Sequence, residues 1–426
     1  MLALCAFTAS CASSPVWRSV SPDRGTRVAV REVRGQSCVT IGSKAPRCHD
    51  AISLAGVAFA ARGGSVAYPA LVDGRWVVVH DGNAGPSWDG VGVPVLSTEG
   101  NHVAYPGLDQ AGWHLVIDDR SGPAFAAIIA GSIVLDSTGN HHGYVIRRGD
   151  SAYVVIDGVA SRGWSRASRP ILAADATHTA YVARLGTPAM LVTDGHAGPP
   201  HDSIGDVVYS PRASTWAYAA RDAGIWSVGG DEARLAPFAE VRELSWPPSR
   251  TTSHPAFIGR TAEGDAVIMD GVAPLWHARV SSLAFARVGP RWGYVANDEA
   301  VYVDGALRAT ELAAADLVIS DDGSRVAWAA ERGDSTDVVA DDKRHTFDLV
   351  IPATLQFLPG RPTWVCLAGD RKRRALFVVV DGRRTDRAFD WEEIVRISQR
   401  ADAVGTLRAR VAAEALVALA AARNSR

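Results

Sequence analysis

The 426-residue chain lacks most of the features that announce a chemistry. It has no run of about 18 apolar residues, which excludes a membrane-spanning helix. A formal charge of −2 gives no electrostatic reason to expect nucleic acid or an anionic membrane surface as a partner. No G-x-S-x-G elbow occurs, which argues against a serine hydrolase of the α/β type. H-E-x-x-H, C-x-x-C and a Gly-rich loop ending in Gly-Lys are also missing, so no linear motif marks a zinc, haem or phosphate site. Accordingly no catalytic residue, metal ligand or cofactor is assigned. Lysine is nearly absent: Lys44, Lys343 and Lys372 stand alone among 44 basic residues. That bias reads as a GC-rich bacterial genome rather than as arginine chemistry.

Cysteine is scarce too, and its five positions are informative. Cys5 and Cys11 lie in the apolar start MLALCAFTASCASS, which reads as the end of a secretory signal. The triplet Thr8-Ala9-Ser10 before Cys11 resembles a bacterial lipobox, with Thr8 where such signals usually carry Leu. The resemblance implies that Cys11 is lipidated and becomes the mature N-terminus. A cleaved signal without lipid and an ordinary cytoplasmic start are the alternatives. Export makes a disulfide between Cys38 and Cys48 natural, because their segments flank a short turn. Two unrelated buried thiols are the alternative. Cys366, in PTWVCLAG, reads as a core residue on a strand.

What the chain does have is a repeat. A small residue followed by an aromatic one recurs, the aromatic being Tyr68, Tyr105, Tyr144, Tyr181, Tyr218, Phe257, Tyr294, Trp328 and Trp364. The spacings are 37, 39, 37, 37, 39, 37, 34 and 36, and the preceding residue is Ala or Gly in all but the last copy. Asp81, Asp118, Asp157, Asp194, Asp270 and Asp341 each follow their aromatic by 13 residues; Asp304 and Asp381 fill the same role at 10 and 17. In the remaining copy Gly229 replaces the aspartate. Each unit contains short runs of Val, Ile, Tyr and Trp bounded by Gly, Asp, Asn and Ser, which reads as four β-strands. Asp-Gly between two such runs signals a hairpin, since both residues tolerate positive φ. Four-stranded units of about 38 residues predict an all-β fold, a β-propeller of eight to ten blades. The domain reading is a signal or anchor over 1–20, a propeller over 21–400 as one wheel or two smaller ones, and a C-terminal helix over 401–426. An open β-solenoid is the alternative architecture.

SPDRGTRVAV (residues 21–30), SDDGSRVAWAA (residues 320–330) and the recurring VVxDG strand ends resemble the WD40-like β-propeller repeats of the bacterial Tol-system propeller protein and of many envelope lipoproteins. The resemblance runs over about residues 21–395, although the middle units keep only fragments such as YSPRAS. It implies a propeller fold in the bacterial cell envelope, in the periplasm and lipid-anchored to the outer membrane. Such repeats specify fold well and function poorly.

A catalytic residue is needed once, whereas a scaffold residue is needed in every unit. The repeated aspartates are therefore structural, and so is a second series, Asp50, Asp89, Asp202, Asp348 and Asp390. His102, His141 and His178 share one repeat position and read as turn-edge residues rather than metal ligands. Function is expected where the repeat breaks, over residues 226–257, which carry Asp231, Glu232, Arg242, Trp246 and His254 as a candidate binding surface. The functional expectation is a non-catalytic, envelope-anchored binding or scaffolding propeller whose partner is a protein or glycan. The competing expectation is a carbohydrate-active enzyme with carboxylates around the axis, at separations of about 5 to 10 Å.

Overall fold

A computed structural model describes residues 17–21, 26–173, 177–210, 215–230, 234–248 and 254–389, together with 408, 411, 412, 414, 415, 418 and 419. Cys11, Asp231, Glu232 and Asp390 lie outside these residues. The described chain is all-β and forms ten antiparallel sheets of three to five strands, the blade construction of a β-propeller. Blades are numbered below in chain order.

The chain divides into two compact units, Met1–Leu172 and Ala173–Arg426. The first contains blades one to four, followed by the short strands Arg166–Ala167 and Ile171–Leu172. The fourth blade shows the pattern. Its first strand comes in two pieces, Ala127–Ile128 and Val134–Leu135; His142–Arg148, Ser151–Ile156 and Val159–Ala160 follow in order. Tyr144 sits opposite Val155, and Trp164 extends the last strand by exchanging two backbone hydrogen bonds with Ala152 at 2.8 and 2.9 Å. In the first blade Cys38 lies opposite Cys48 and the two form a disulfide, with their Cα atoms 3.9 Å apart.

The second unit contains Thr179–Arg184, Ala189–Thr193 and His196–Ala197 of the fifth blade, then blades six to ten. The seventh blade keeps only three strands among the described residues: Glu240–Ser245, Ala256–Thr261 and Gly264–Ile268. Helical backbone occurs at the seven described residues from Arg408 onward, but no continuous helix is defined there, so the expected C-terminal helix is not established. Val411, Ala412 and Ala415 of this stretch are nevertheless buried against Leu358, Val365 and Leu367 of the last blade.

Packing follows from strand alternation, which sends successive side chains to opposite faces. Tyr68 joins a cluster with Val28, Val30 and Val39 of the first blade, whereas Ala67 joins Trp88, Val103 and Tyr105 toward the third. Trp328 and Ala327 divide in the same way between the clusters facing the eighth and tenth blades. All nine repeat aromatics are buried, none more than 3% exposed. Ala or Gly stands beside all of them except Trp364 because the next blade approaches that face closely. Burying one such side chain contributes about 1.5–3 kcal/mol, repeated at every blade junction.

Candidate functional site

The repeated aspartates are turn residues with a second task. Asp81, Asp118, Asp157, Asp194, Asp304, Asp341 and Asp381 all adopt left-handed backbone, with φ between 43° and 53°. Each opens a two-residue hairpin whose second residue, Gly or Asp, also has positive φ, the requirement of a type I′ turn. The carboxylate then reaches across to the start of the neighbouring strand, one before the strand it ends. Asp157 accepts the amide of His142 on Oδ1 and the Nδ1 side of His141 on Oδ2, both at 2.8 Å. Asp118 pairs with Val103 N–H and His102 at 3.0 and 2.6 Å; Asp194 pairs with Thr179 N–H and His178 at 2.7 and 2.8 Å. In the eighth blade Arg291 replaces the histidine at 3.2 Å, while the amide of Trp292 donates at 3.0 Å. The hydrogen bond and charge of Asp157 raise the pKa of His141.

These clamps also tie blade to blade. Ser65 donates to Asp81 and to the carbonyl of Gly100 in the turn that leads into the third blade's long strand. Arg291 Nη1 donates to the carbonyl of Gly323 at 3.0 Å, and Arg325 reaches Pro362 and Asp381 of the tenth blade. The second aspartate series works at the opposite hairpin. Asp50, Asp202 and Asp348 accept the amides of Asp73, Ala223 and Arg371 at 2.8–3.1 Å. Ser21 and Ser320, from the two motifs that resemble the repeat family, accept the amides of Thr26 and Arg325. The clamp aspartates, Asp50, Asp202, Asp348 and these serines are thus engaged by the scaffold.

The residues singled out at the break in the repeat disperse. His254 takes the clamp position of the seventh blade, its amide and Nδ1 each 3.0 Å from Asp270. It precedes Phe257 by three residues, the offset already shared by His102, His141 and His178. Arg242 turns inward to Asp265, which is fully buried and also held by Arg260 and by the amide of Val280 at 3.1 Å. Burial opposes ionisation of Asp265, but the Arg260 hydrogen bonds, the Val280 amide and both guanidinium charges outweigh it and hold its pKa below the ordinary range. Trp246 is half-buried, and its indole N–H has no partner among the described residues. Among the described residues, no hydrogen bond or ion pair joins Arg242, Trp246 and His254 to one another.

Two clefts lie further along the second unit and share Asp304. The smaller, about 390 Å³, lies between the seventh and eighth blades and is walled by Val267, Val272, Leu275, Trp292 and Tyr294. The larger, about 620 Å³, lies between the eighth and ninth. It is lined by Arg291, Arg308, Arg325, Asp341 and Asp342, with Trp328 at its wall. Its charges are internally paired: Arg308 with Asp342 at 2.6 Å, Arg291 with Asp304, and Arg325 with Asp341. The Trp328 indole N–H has no partner among the described residues.

The sequence reading missed these clefts, and one signal could have found the first. Four residues after the clamp aspartate stand Gly85, Ser161 and Gly198, whose amides donate to Val78, Val154 and Leu191 at 2.8–2.9 Å. Thr385 makes the bond in the tenth blade with its hydroxyl, at 3.0 Å to Val378. The same position in the seventh blade is Pro274, which has no N–H to give. Asp270 also departs from the other aspartates in lacking positive φ. The frame thus departs from its pattern at Pro274 as well, beyond residues 226–257.

A candidate for acid–base chemistry exists on the first strands. Glu243 and Asp316 occupy matching left-handed bulges in the seventh and ninth blades, with φ of 54° and 53°. Each accepts an amide from a following blade, Glu243 from Leu283 at 2.8 Å and Asp316 from Ala353 at 2.5 Å. Burial raises the pKa of Asp316. Among the described residues no group of three or more His, Cys, Asp or Glu side chains could hold a metal ion, and no helix is long and apolar enough to cross a membrane.

No sequence family matches the chain, and no curated protein matches it. Among solved structures, TolB from Acinetobacter baumannii is 16% identical over 50% of this chain, with a TM-score of 0.26; the chain spans 60% of that structure's length. A eukaryotic initiation factor is 9% identical, with 85% of this chain and 96% of that one covered and a TM-score of 0.43. An oligogalacturonate lyase solved with manganese is 10% identical, covering 75% and 93%, at 0.31. Likenesses this distant assign no function, and the all-β blade fold rests on the chain's own ten sheets.

Proposed function

We propose that the chain is a non-catalytic binding or scaffolding propeller that engages a partner through the clefts of its seventh to ninth blades. The observation that carries this reading is the sorting of polar groups. The clamp and hairpin aspartates are engaged in turns and blade junctions, while the two clefts sharing Asp304 form concave surface beside an altered repeat. The Cys38–Cys48 disulfide supports an oxidising compartment, and with the lipobox-like Cys11 it favours the bacterial envelope and a lipid anchor. The partner expected there is a protein or glycan.

A photo-crosslinking residue placed at Leu275 or Leu307, both exposed at the cleft borders, tests the reading in intact cells. The same species should be captured at both positions and not at Val159, an exposed residue of the first unit. Capture at neither cleft position, or equal capture at all three, rejects the proposal. Mass spectrometry of the mature N-terminus tests the anchor. A second reading, a carbohydrate-active enzyme, is favoured by burial that raises the pKa of both Glu243 and Asp316 and by their matching bulge positions in two blades. Glycosidase or lyase turnover that disappears in Asp316→Asn with the fold intact supports it.

A further inference from the structure

We propose that the cleft of the seventh blade captures a short extended peptide, whose main-chain N–H supplies the hydrogen bond that Pro274 withholds. This rests on the binding role proposed above and names the chemistry of the partner. In antiparallel sheets, backbone groups two residues apart point to the same side of a strand. Asp265 exchanges backbone hydrogen bonds with His277 at 2.7 and 2.9 Å, so Asp265 points toward the place of a fourth strand. Val267, two residues on, presents its N–H and C=O the same way.

In the second, fourth and fifth blades the corresponding carbonyls of Val78, Val154 and Leu191 are each met by the chain's own amide. In the seventh blade the residue at the equivalent offset, four after Asp270, is Pro274, which has no N–H to give to Val267. The amide of Val272 instead closes a tight turn onto Met269 at 3.2 Å, and the chain returns to the sheet only at His277. Between those two points lies the cleft, with Val267 in its wall.

The geometry selects the occupant. A peptide amide is the donor that this position receives in the other blades, so the missing partner is most directly another main chain. Val272, Leu275, Trp292 and Tyr294 around the cleft suit one bulky apolar side chain next to that amide. The cleft volume of about 390 Å³ accommodates two or three residues. The peptide would continue past Asp304 toward the larger cleft, whose arginines and aspartates neutralise one another and so favour no strongly charged sequence.

The test uses the full chain, isotopically labelled, titrated with acetyl-Ala-Gly-Trp-amide. Its first two residues are those that Ala84 and Gly85 place at this position in the second blade. The comparison peptide carries N-methylglycine, which removes only the N–H. Saturable shifts of the Val267 amide and the Trp292 indole are expected with the first peptide, with at least tenfold weaker response to the second. Pro274→Gly restores the N–H found in blades two and five; it should protect the amide of residue 274 from exchange and abolish peptide binding. Ala273→Gly loosens the same loop without adding a donor and should leave binding unchanged. Absence of saturable shifts, equal response to both peptides, or an unprotected residue-274 amide in Pro274→Gly would overturn the proposal. Loss of the peptide site with crosslinking at Leu275 and Leu307 retained would reject the peptide chemistry alone.

Discussion

Replacing Asp157 separates the two tasks assigned to the repeated aspartates. The side chain accepts the amide of His142 and pairs with His141, and its backbone sits at φ 48°. Hydrogen bonds to a charged group contribute about 1.5–3 kcal/mol, and the roughly 40% exposure of Asp157 places this bond near the lower end. Alanine in the left-handed region costs about 1–2 kcal/mol, of which Asp already bears part. Asp157→Ala should therefore destabilise by about 2 kcal/mol, the sum of a lost acceptor and added backbone strain. Asp157→Gly removes the acceptor without the strain and should cost about 1 kcal/mol. Asp157→Asn keeps the turn and one acceptor and should cost less than 1 kcal/mol. Native-state hydrogen exchange along His142–Arg148 is the suitable assay, because a chain of two compact units need not unfold in one step. A cost below about 0.5 kcal/mol for Ala would remove the clamp, and equal costs for Ala and Gly would remove the backbone contribution.

The raised pKa of His141 predicts a pH dependence. A histidine that binds its proton more tightly when folded adds stability fully present below its unfolded value of about 6.5 and lost as pH rises through the folded pKa. His141→Gln should thus destabilise at pH 5.5 and have little effect at pH 8, read from denaturation at the two pH values. Its neighbour His142, lowered mainly by burial, runs the other way, so His142→Gln should relieve a loss of stability below pH 6.5. Cys38→Ser should cost about 2–3 kcal/mol in the first unit, and reduced wild-type protein should unfold like the variant. Gly139 has φ 80°, and a Cβ there would fall 2.3 Å from the His102 ring. Gly139→Ala should therefore destabilise by about 1–3 kcal/mol. Adding His102→Ala should recover part of that loss, which a double-mutant cycle on melting temperature would show.

The repeat and its strand order were legible because each blade solves the same packing problem. A small residue must face one neighbour and an aromatic the other, so Ala67-Tyr68 and Ala327-Trp328 recur at nearly fixed intervals. The candidate site was less legible. His254 sits at the clamp position of its blade, and Arg242 pairs with a buried carboxylate whose position depends on folding. Pro274 was visible as a letter, but its meaning required knowing which carbonyl it faces.

Sequence alone determined the four-stranded unit, its period and the hairpin role of Asp-Gly, because strand alternation and left-handed turns are local demands of the backbone. Tertiary structure decided where those carboxylates reach, which blade loses its closing hydrogen bond, and where the clefts open. Those outcomes depend on atoms brought together from neighbouring strands and blades. Val267 and Pro274 are seven residues apart in the chain, and only the bridge between Asp265 and His277 shows which side of the strand that interval borders.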